Sequence, residues 1–471
     1  MMKFLYYLIF SLNITISFNI KADLLSATLA YNTQKYQQAY DEFQKLAKLG
    51  NKDAIYNIGV MFLYGQGVKK NLIAAHSWFS LAGDYGLEEA RSAARLIEQE
   101  ITTTDKQKTL RTHFNHLKQQ LGFKQYSQTL LPIFNEQQFK NSSKQPPLRI
   151  HKVDAKYPKE AYEKGIEGWV WLEFDVDKSG AVKDVDIIDA FPNKTFNRAI
   201  YNAVRRWRYE PYTINGKAQT YSSRSLLYHF TTFKGKRYQA SFAHQQKNYQ
   251  KKINQLIEGA EQGNALVQYY IANWLVADEY NATRLLRFHW PQNTASSDLL
   301  LASAINGYPN SQYRLGTNLL RGEYTQTDRK KGLNWILNAA QSGFSYAQYR
   351  LARELLDQRF VEYDKEKAKR WLIAAAKQHH FRAIRDLTAL EIADENYGSA
   401  QHYLQQGLAI DEKHPDLLLS KAKIYLYQGK KNKALKSIKK AIKIAKNRQW
   451  SQQALLALQH KILAKKTITL N

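Results

Sequence analysis

A period of 36 residues constrains this chain more than any other feature, because a fixed spacing of roughly 20 to 50 residues dictates an array architecture by itself. Gly307 and Gly343, Tyr313 and Tyr349, Leu315 and Leu351, Asp328 and Asp364, Trp335 and Trp371, and Ala340 and Ala376 each stand 36 apart. Within one unit the apolar residues keep helical spacing in two stripes parted by a charged turn: Tyr313 with Leu315 to Leu320, then Leu333, Trp335, Ile336, Ala339 and Ala340. Each unit is therefore expected to be a helical hairpin whose apolar faces are buried only by stacking on its neighbours.

A copy near the N-terminus carries Ala54, Asn57, Gly59, Tyr64, Gly65, Gly67, Val68, Ala75, Trp78, Ala82, Gly86 and Ala90. This pattern resembles the Sel-one-like repeat, in which Tyr-Gly-x-Gly-Val forms the turn between helices and the glycines take positive φ. Residues 24–50 read as a shorter preceding unit, with Tyr36, Ala39, Phe43, Ala47 and Gly50. About three further copies span 257–396, the first interrupted near Trp290-Pro291, and Arg321-Gly322-Glu323-Tyr324 retains one of the two turn glycines. Beyond 397 the spacing shortens to 34, from Ala400 to Ala434 and from Leu408 to Ile442, and resembles tetratricopeptide repeats. Such arrays imply concave surfaces for other envelope proteins.

Between the arrays the periodicity changes from helical to alternating. Val170, Leu172, Phe174 and Val176 alternate with Trp169, Trp171, Glu173 and Asp175, a strand that the turn Asp177-Lys178-Ser179-Gly180 joins to a second one over 182–188. Asp175-x-Asp177 with Gly180 is a poor calcium loop, since a third oxygen ligand and the closing glutamate are missing. Thr195 is placed to cap a helix with Phe196, Ala199, Ile200, Ala203, Val204 and Trp207 on one apolar stripe, and Pro211 stops it. Arg198, Arg205, Arg206 and Arg208 lie off that stripe. A last strand follows, with Leu226, Tyr228 and Phe230 on one side and Leu227 and His229 on the other. Residues 102–146, a helix over 105–121 and a polar stretch ending in Pro146-Pro147, read as a linker.

The segments Tyr157-Pro158-x-x-Ala161, Ile166-Glu167-Gly168, Phe174-Asp175-Val176, Gly180-x-Val182 and Arg205-Arg206-Trp207-Arg208-Tyr209-Glu210-Pro211 together resemble the C-terminal domain of the energy transducer TonB. The resemblance covers about 90 residues. It implies an α+β module, a small antiparallel sheet with one packed helix, inserted between all-α helical-hairpin solenoid arrays. It also implies strand addition, in which an extended segment, the TonB box of an outer-membrane TonB-dependent receptor, lies along the last strand. The residues to which this role falls are Lys156, Tyr157 and Pro158, and Arg224, Ser225, Leu226, Leu227, Tyr228, His229, Phe230, Thr231 and Thr232. Trp207 is expected to anchor the core. Trp169 and Trp171 fall on the face away from that core, where they pack on the flanking repeats or form a partner site.

Residues 1–22 begin with Lys3, continue through an apolar run from 4 to 20, and end in Ile20-Lys21-Ala22, the form of a secretory signal leading to the periplasm. An uncleaved inner-membrane anchor is the alternative, weakened by Ser11, Asn13, Thr15, Ser17 and Asn19. TonB itself needs an anchor with a histidine that engages the ExbB and ExbD motor and a long proline-rich span. Residues 1–22 hold no histidine and the chain has only 9 prolines, so partner binding is better supported than transduction, and the motor is a partner only of an anchored form.

The boundaries expected are 1–22 signal peptide, 23–101 Sel-one-like repeats, 102–146 helix and linker, 147–236 TonB-like domain, 237–396 Sel-one-like repeats, 397–450 tetratricopeptide-like repeat, and 451–471 a C-terminal helix. A balance of 69 basic against 41 acidic residues, +28, favours anionic partners such as an envelope polymer or lipopolysaccharide. Lys430, Lys431, Lys433, Lys436, Lys439, Lys440, Lys443 and Lys446 are the obvious contact, and a solvated repeat face is the plainer reading of them. Nucleic acid is not expected, because zinc knuckles and RNP-like strands are missing. No cysteine occurs, which removes disulfides, thiolate metal sites and thiol nucleophiles. His113 with His116, and His379 with His380, lack the acidic companions of a metal site, and GxSxG, Walker and HExxH strings are absent. No enzyme, cofactor or metal is therefore expected.

Overall fold

A computed structural model describes residues 23–135, 146–214, 216–231, 250–251, 253–277, 280–357 and 360–467. The signal or anchor expected over 1–22, and Thr232 of the expected docking strand, lie outside these residues. In chain order the helices α1 (Leu24–Asn32), α2 (Tyr36–Ala47), α3 (Lys52–Tyr64), α4 (Leu72–Asp84), α5 (Glu88–Glu100), α6 (Thr104–Leu121) and α7 (Phe123–Thr129) come first. A mixed segment follows: β1 (Arg149–His151), α8 (Lys159–Glu163), β2 (Gly168–Val176), β3 (Val182–Phe191), α9 (Asn197–Val204), β4 (Arg208–Tyr209), β5 (Thr213–Ile214), β6 (Lys217–Ala218) and β7 (Tyr221–Phe230). The rest is helical: α10 (Ala265–Trp274), α11 (Asn281–Leu286), α12 (Ala295–Ile305), α13 (Pro309–Arg321), α14 (Arg329–Gln341), α15 (Ser345–Asp357) and α16 (Lys365–Ala376). α17 (Phe381–Ala393), α18 (Tyr397–Ile410), α19 (Pro415–Tyr427), α20 (Lys431–Arg448) and α21 (Gln453–Thr467) complete it. The architecture is thus a small antiparallel sheet module set between arrays of helical hairpins. None of the described helices is long and apolar enough to cross a membrane.

The described residues form two compact units, one within 1–140 and 245–374, the other within 141–244 and 375–471. In the first, the positions that repeat every 36 residues do the same physical work. Asp328 and Asp364 accept from the backbone N–H groups of Lys331 and Lys367, each at 2.9 Å, so the same residue caps successive second helices. Tyr313 and Tyr349 are fully buried, as are Leu351 and Trp371. Gly307 and Gly343 turn the chain at φ +83° and +89°. The turn Gly65-x-Gly67 has φ +71° and +70°, and where the later copy lacks its second glycine Tyr324 takes the strained angle itself, at +59°.

The same unit ties its first repeats to its later ones. Leu24 N–H donates to Ser342 O at 3.0 Å, and Gln341 Nε2 donates to Gly50 O and to Tyr126 Oη. Part of the stretch expected as linker is built in as well: Phe134 bridges Val361, and Trp371 Nε1 donates to Leu130 O at 3.0 Å. Pairing with the 360–362 backbone satisfies the polar groups that a free linker would leave to water.

In the second unit the sheet order is β3-β2-β7, all antiparallel, with β1-β4 and β5-β6 as separate short pairs. Val170, Leu172, Phe174 and Val176 point at α9, where Phe196, Ile200, Val204 and Trp207 close the core. Trp207 is buried as expected and its Nε1 donates to Val153 O at 2.7 Å. Thr195 does not cap α9, which starts at Asn197 without a side-chain cap. Its hydroxyl turns back to Asn193 Oδ1 at 2.8 Å, because the preceding turn at 192–195 claims it first.

Candidate functional site

The site expected from sequence has two parts, and the structure brings them together. Tyr157 packs edge-on against Phe230 at 5.7 Å between ring centres and against Phe196 at 5.4 Å, so the segment before α8 meets the end of β7. Tyr157 is anchored there by its own hydroxyl, which donates to Ile166 O at 2.6 Å. Lys156 beside it is exposed, and Pro158 sets the start of α8. Among the described strands β7 forms one margin of the sheet and β3 the other.

The residues of β7 divide by face as the alternation requires. Leu226, Tyr228 and Phe230 join the core beneath α9. Leu227 and His229 stand on the opposite face, in register with Trp171 and Trp169. Ser225 Oγ accepts from Trp171 Nε1 at 2.7 Å, and the Arg224 guanidinium lies 5.0 Å from the Tyr209 ring centre. Thr231 follows the strand's end.

That opposite face is the part sequence reasoning did not resolve. Trp169, Trp171, Glu173 and Asp175 run along it and are all buried, at 0 to 2% exposure. Glu173 sits directly across from Asp186 on β3, and like charges opposed in a ladder destabilise it unless a cation stands between. Arg382, at the start of α17, is that cation. It is itself fully buried and reaches Asp186 Oδ2 at 2.8 Å, Asp175 Oδ1 at 3.1 Å and Glu173 Oε2 at 3.4 Å.

One turn further along α17, Arg385 pairs with Asp184, which also accepts from His414 Nε2 at 2.7 Å. Asp184 can reach both because a β-bulge opens between Glu173/Asp186 and Asp175/Lys183. Its backbone there is left-handed, φ +53°, which re-aims the carboxylate toward the helices. A second bulge opposite Phe174 and Val176 places Ser223 at φ +56°, and its N–H donates to Asp175 Oδ1 at 2.9 Å.

The hairpin turn is seated on the same helical array. Asp177 Oδ1 accepts from Ser179 N and Ala181 N, while Oδ2 accepts from Ser451 N at 2.6 Å. Trp450 Nε1 donates to Val182 O at 3.0 Å, with the Lys183 ammonium 5.1 Å from its ring centre. Lys183 also pairs with Asp416.

Burial alone would raise the Asp184 carboxyl, but Arg385, His414 and Lys183 outweigh it and hold the group well below the usual carboxylate range. Asp416 is lowered too, Lys183 overcoming its burial, and the Lys183 ammonium is raised in return by Asp416 and Asp184. Asp186 moves the other way, pushed up by burial beyond what Arg382 restores. Asp184, His414 and Asp416 lie close enough to hold a metal ion, with ligand atoms within 4.8 Å of one another. Their oxygens already face Arg385 and Lys183, so the arrangement is a neutralised ion-pair node.

Residues 153–232 match the family described as the C-terminal of the Gram-negative bacterial TonB protein, and 52–86, 309–344 and 345–380 match the Sel1 repeat. The protein TonB of Escherichia coli K12 is 43% identical over 65 residues, 14% of this chain and 27% of that one. The protein TonB of Yersinia enterocolitica is 38% identical over 64 residues, 14% of this chain and 25% of its own. This chain thus spans about a quarter of the length of the curated relatives it matches. Among solved structures, a protective antigen of uropathogenic Escherichia coli with an SLR fold aligns over 88% of this chain and 68% of its own, at 16% identity and TM-score 0.32. A Sel1 repeat protein from Oxalobacter formigenes aligns over 28% of this chain and 93% of its own, at 26% identity and TM-score 0.25. The chain carries a TonB C-terminal domain flanked by Sel1 repeats.

Proposed function

We propose that this is a periplasmic partner-binding protein. Its TonB-type module captures an extended segment of an outer-membrane TonB-dependent receptor by strand addition along β7, and its repeats recruit other envelope proteins. The observation that carries the reading is the TonB match over 153–232, which includes the whole of β7 and the Tyr157 segment packed against its end. Main-chain donors and acceptors of a marginal strand supply affinity in such docking, and alternate side chains supply specificity. The role is binding and positioning, without catalysis.

The ion-paired seating of the β2–β3 hairpin on α17 and α19 supports a fixed binding module, because its far face is occupied within the second unit. A photoreactive residue at Leu227 in living cells tests the proposal. Capture of the N-terminal segment of an outer-membrane receptor is the expected result. Crosslinks confined to this chain, or to proteins unrelated to receptors, would overturn it. A membrane-anchored accessory transducer is the second reading, favoured by the name its relatives share. Fractionation separates the two: a processed soluble product supports the first, and an unprocessed inner-membrane product crosslinked to ExbB and ExbD supports the second.

A further inference from the structure

Half of the protein's net charge lies at one end of the chain. Residues 417–471 contain 13 lysines and one arginine and no aspartate or glutamate, so this stretch contributes +14 of the +28. Much of it is on α20. Ala434, Ile438, Ala441 and Ala445 form the buried stripe of that helix, packed with Leu418, Leu455 and Ile462. Lys433, Lys436, Lys439, Lys440, Lys443 and Lys446 are exposed on the other side. At 1.5 Å per residue they cover about 20 Å of one helix face.

None of the six forms an ion pair among the described residues, whereas lysines elsewhere on helices do, as Lys159 does with Glu163 and Lys331 with Asp328. Lys436 and Lys440, and Lys439 and Lys443, stand four apart, where like charges weaken a helix. The face therefore works against its own helix unless an external anion compensates it.

We infer that the exposed lysine face of α20 is a docking surface for a phosphate-bearing lipid membrane. Clusters of four to eight basic residues on one side of an amphipathic helix bind anionic lipid through summed, non-directional attraction. Lysine is suited to a fluid array of phosphates, being a compact point charge without the planar fork that reads nucleic acids. Single-stranded nucleic acid would also require open aromatic platforms. The neighbouring rings are engaged: Tyr427 stacks on Tyr397 at 3.6 Å, and Trp450 donates to Val182 with Arg448 5.0 Å from its ring centre.

The test is flotation of the full chain with vesicles of phosphatidylglycerol and phosphatidylcholine against vesicles of phosphatidylcholine alone. Binding to the anionic vesicles at about 50 mM salt and release near 0.5 M are expected. The variant Lys436→Gln, Lys439→Gln, Lys440→Gln, Lys443→Gln should bind several hundred-fold more weakly, at about fivefold per lysine. A control with the same charge change elsewhere, Lys45→Gln, Lys48→Gln, Lys106→Gln, Lys108→Gln, should bind as the parent does. Acylation of the parent's α20 lysines should slow when anionic vesicles are present, a readout independent of any variant's folding. Equal flotation with neutral vesicles, unchanged binding by the α20 variant, equal loss in the control, unslowed acylation, or tighter association with duplex DNA in the same buffer would each overturn the inference.

Discussion

Arg382 Nη1 stands 3.1 Å from Asp175 Oδ1, 207 residues away in sequence, and neither side chain meets solvent. The pair joins the middle strand of the sheet module to the first helix of the array behind it. A buried charge is expensive to leave alone, so each of these groups requires the other in place. The module and the terminal array consequently act as one folded unit in this region.

Removing the guanidinium tests that dependence. Arg382→Met withdraws the guanidinium that Glu173, Asp175 and Asp186 share, with Arg385 still 3.8 Å from Asp175, and is expected to destabilise the second unit by about 3 to 5 kcal/mol. Combining it with Glu173→Gln and Asp175→Asn should recover most of the loss. The measurement is hydrogen exchange of the β2 amides in the full chain. Equal protection in parent and single variant would refute the argument.

The acid response should have a definite sign. Asp184 and Asp416 titrate below their ordinary range in the folded chain, so their stabilisation is complete above about pH 5 and is lost as pH falls below about 4. Asp186 is raised, so it takes up its proton first in the folded chain and adds stability as pH falls. Asp184→Asn should therefore lower stability at pH 7 by about 3 to 5 kcal/mol and flatten the acid loss. Asp186→Asn should change little at pH 7 and steepen that loss. Exchange of the β3 amides, corrected for intrinsic rate, reads both.

Two turn glycines of the first Sel1 repeat should respond differently to alanine. A Cβ on Gly67 would lie 2.7 Å from the Tyr36 carbonyl carbon, whereas one on Gly86 meets nothing within 4 Å. Both have positive φ, so both substitutions carry about 1 to 2 kcal/mol of backbone strain. Gly67→Ala should cost clearly more, since the Tyr36 backbone must also move. Thermal melting of the two variants compares them directly.

His379 occupies the position at which Gly307 and Gly343 turn the earlier hairpins, and it adopts φ +58°. His379→Gly relieves that strain at the cost of a more flexible unfolded chain. A net gain of about 0.5 to 1 kcal/mol is expected, seen as a raised melting temperature. A lower melting temperature would show that the imidazole contributes more than its backbone costs.

What the sequence determined by itself was whatever depends on local period. The 36-residue spacing placed the helical hairpins, and alternation from Trp169 to Val176 placed a strand with one apolar face. The string from Arg205 to Pro211 marked the module, and the same alternation put Trp169 and Trp171 on its far side. Only the tertiary structure decided what covers that side. Glu173, Asp175, Asp184 and Asp186 on one hairpin announce a need for cations, yet 69 basic residues could have met it, and pairing through space leaves no period to read. Arg382, Arg385 and His414 are selected by where the chain folds back, 196 to 230 residues along. The two bulges at Asp184 and Ser223 are of the same kind, set by partners across the sheet and invisible in either strand alone.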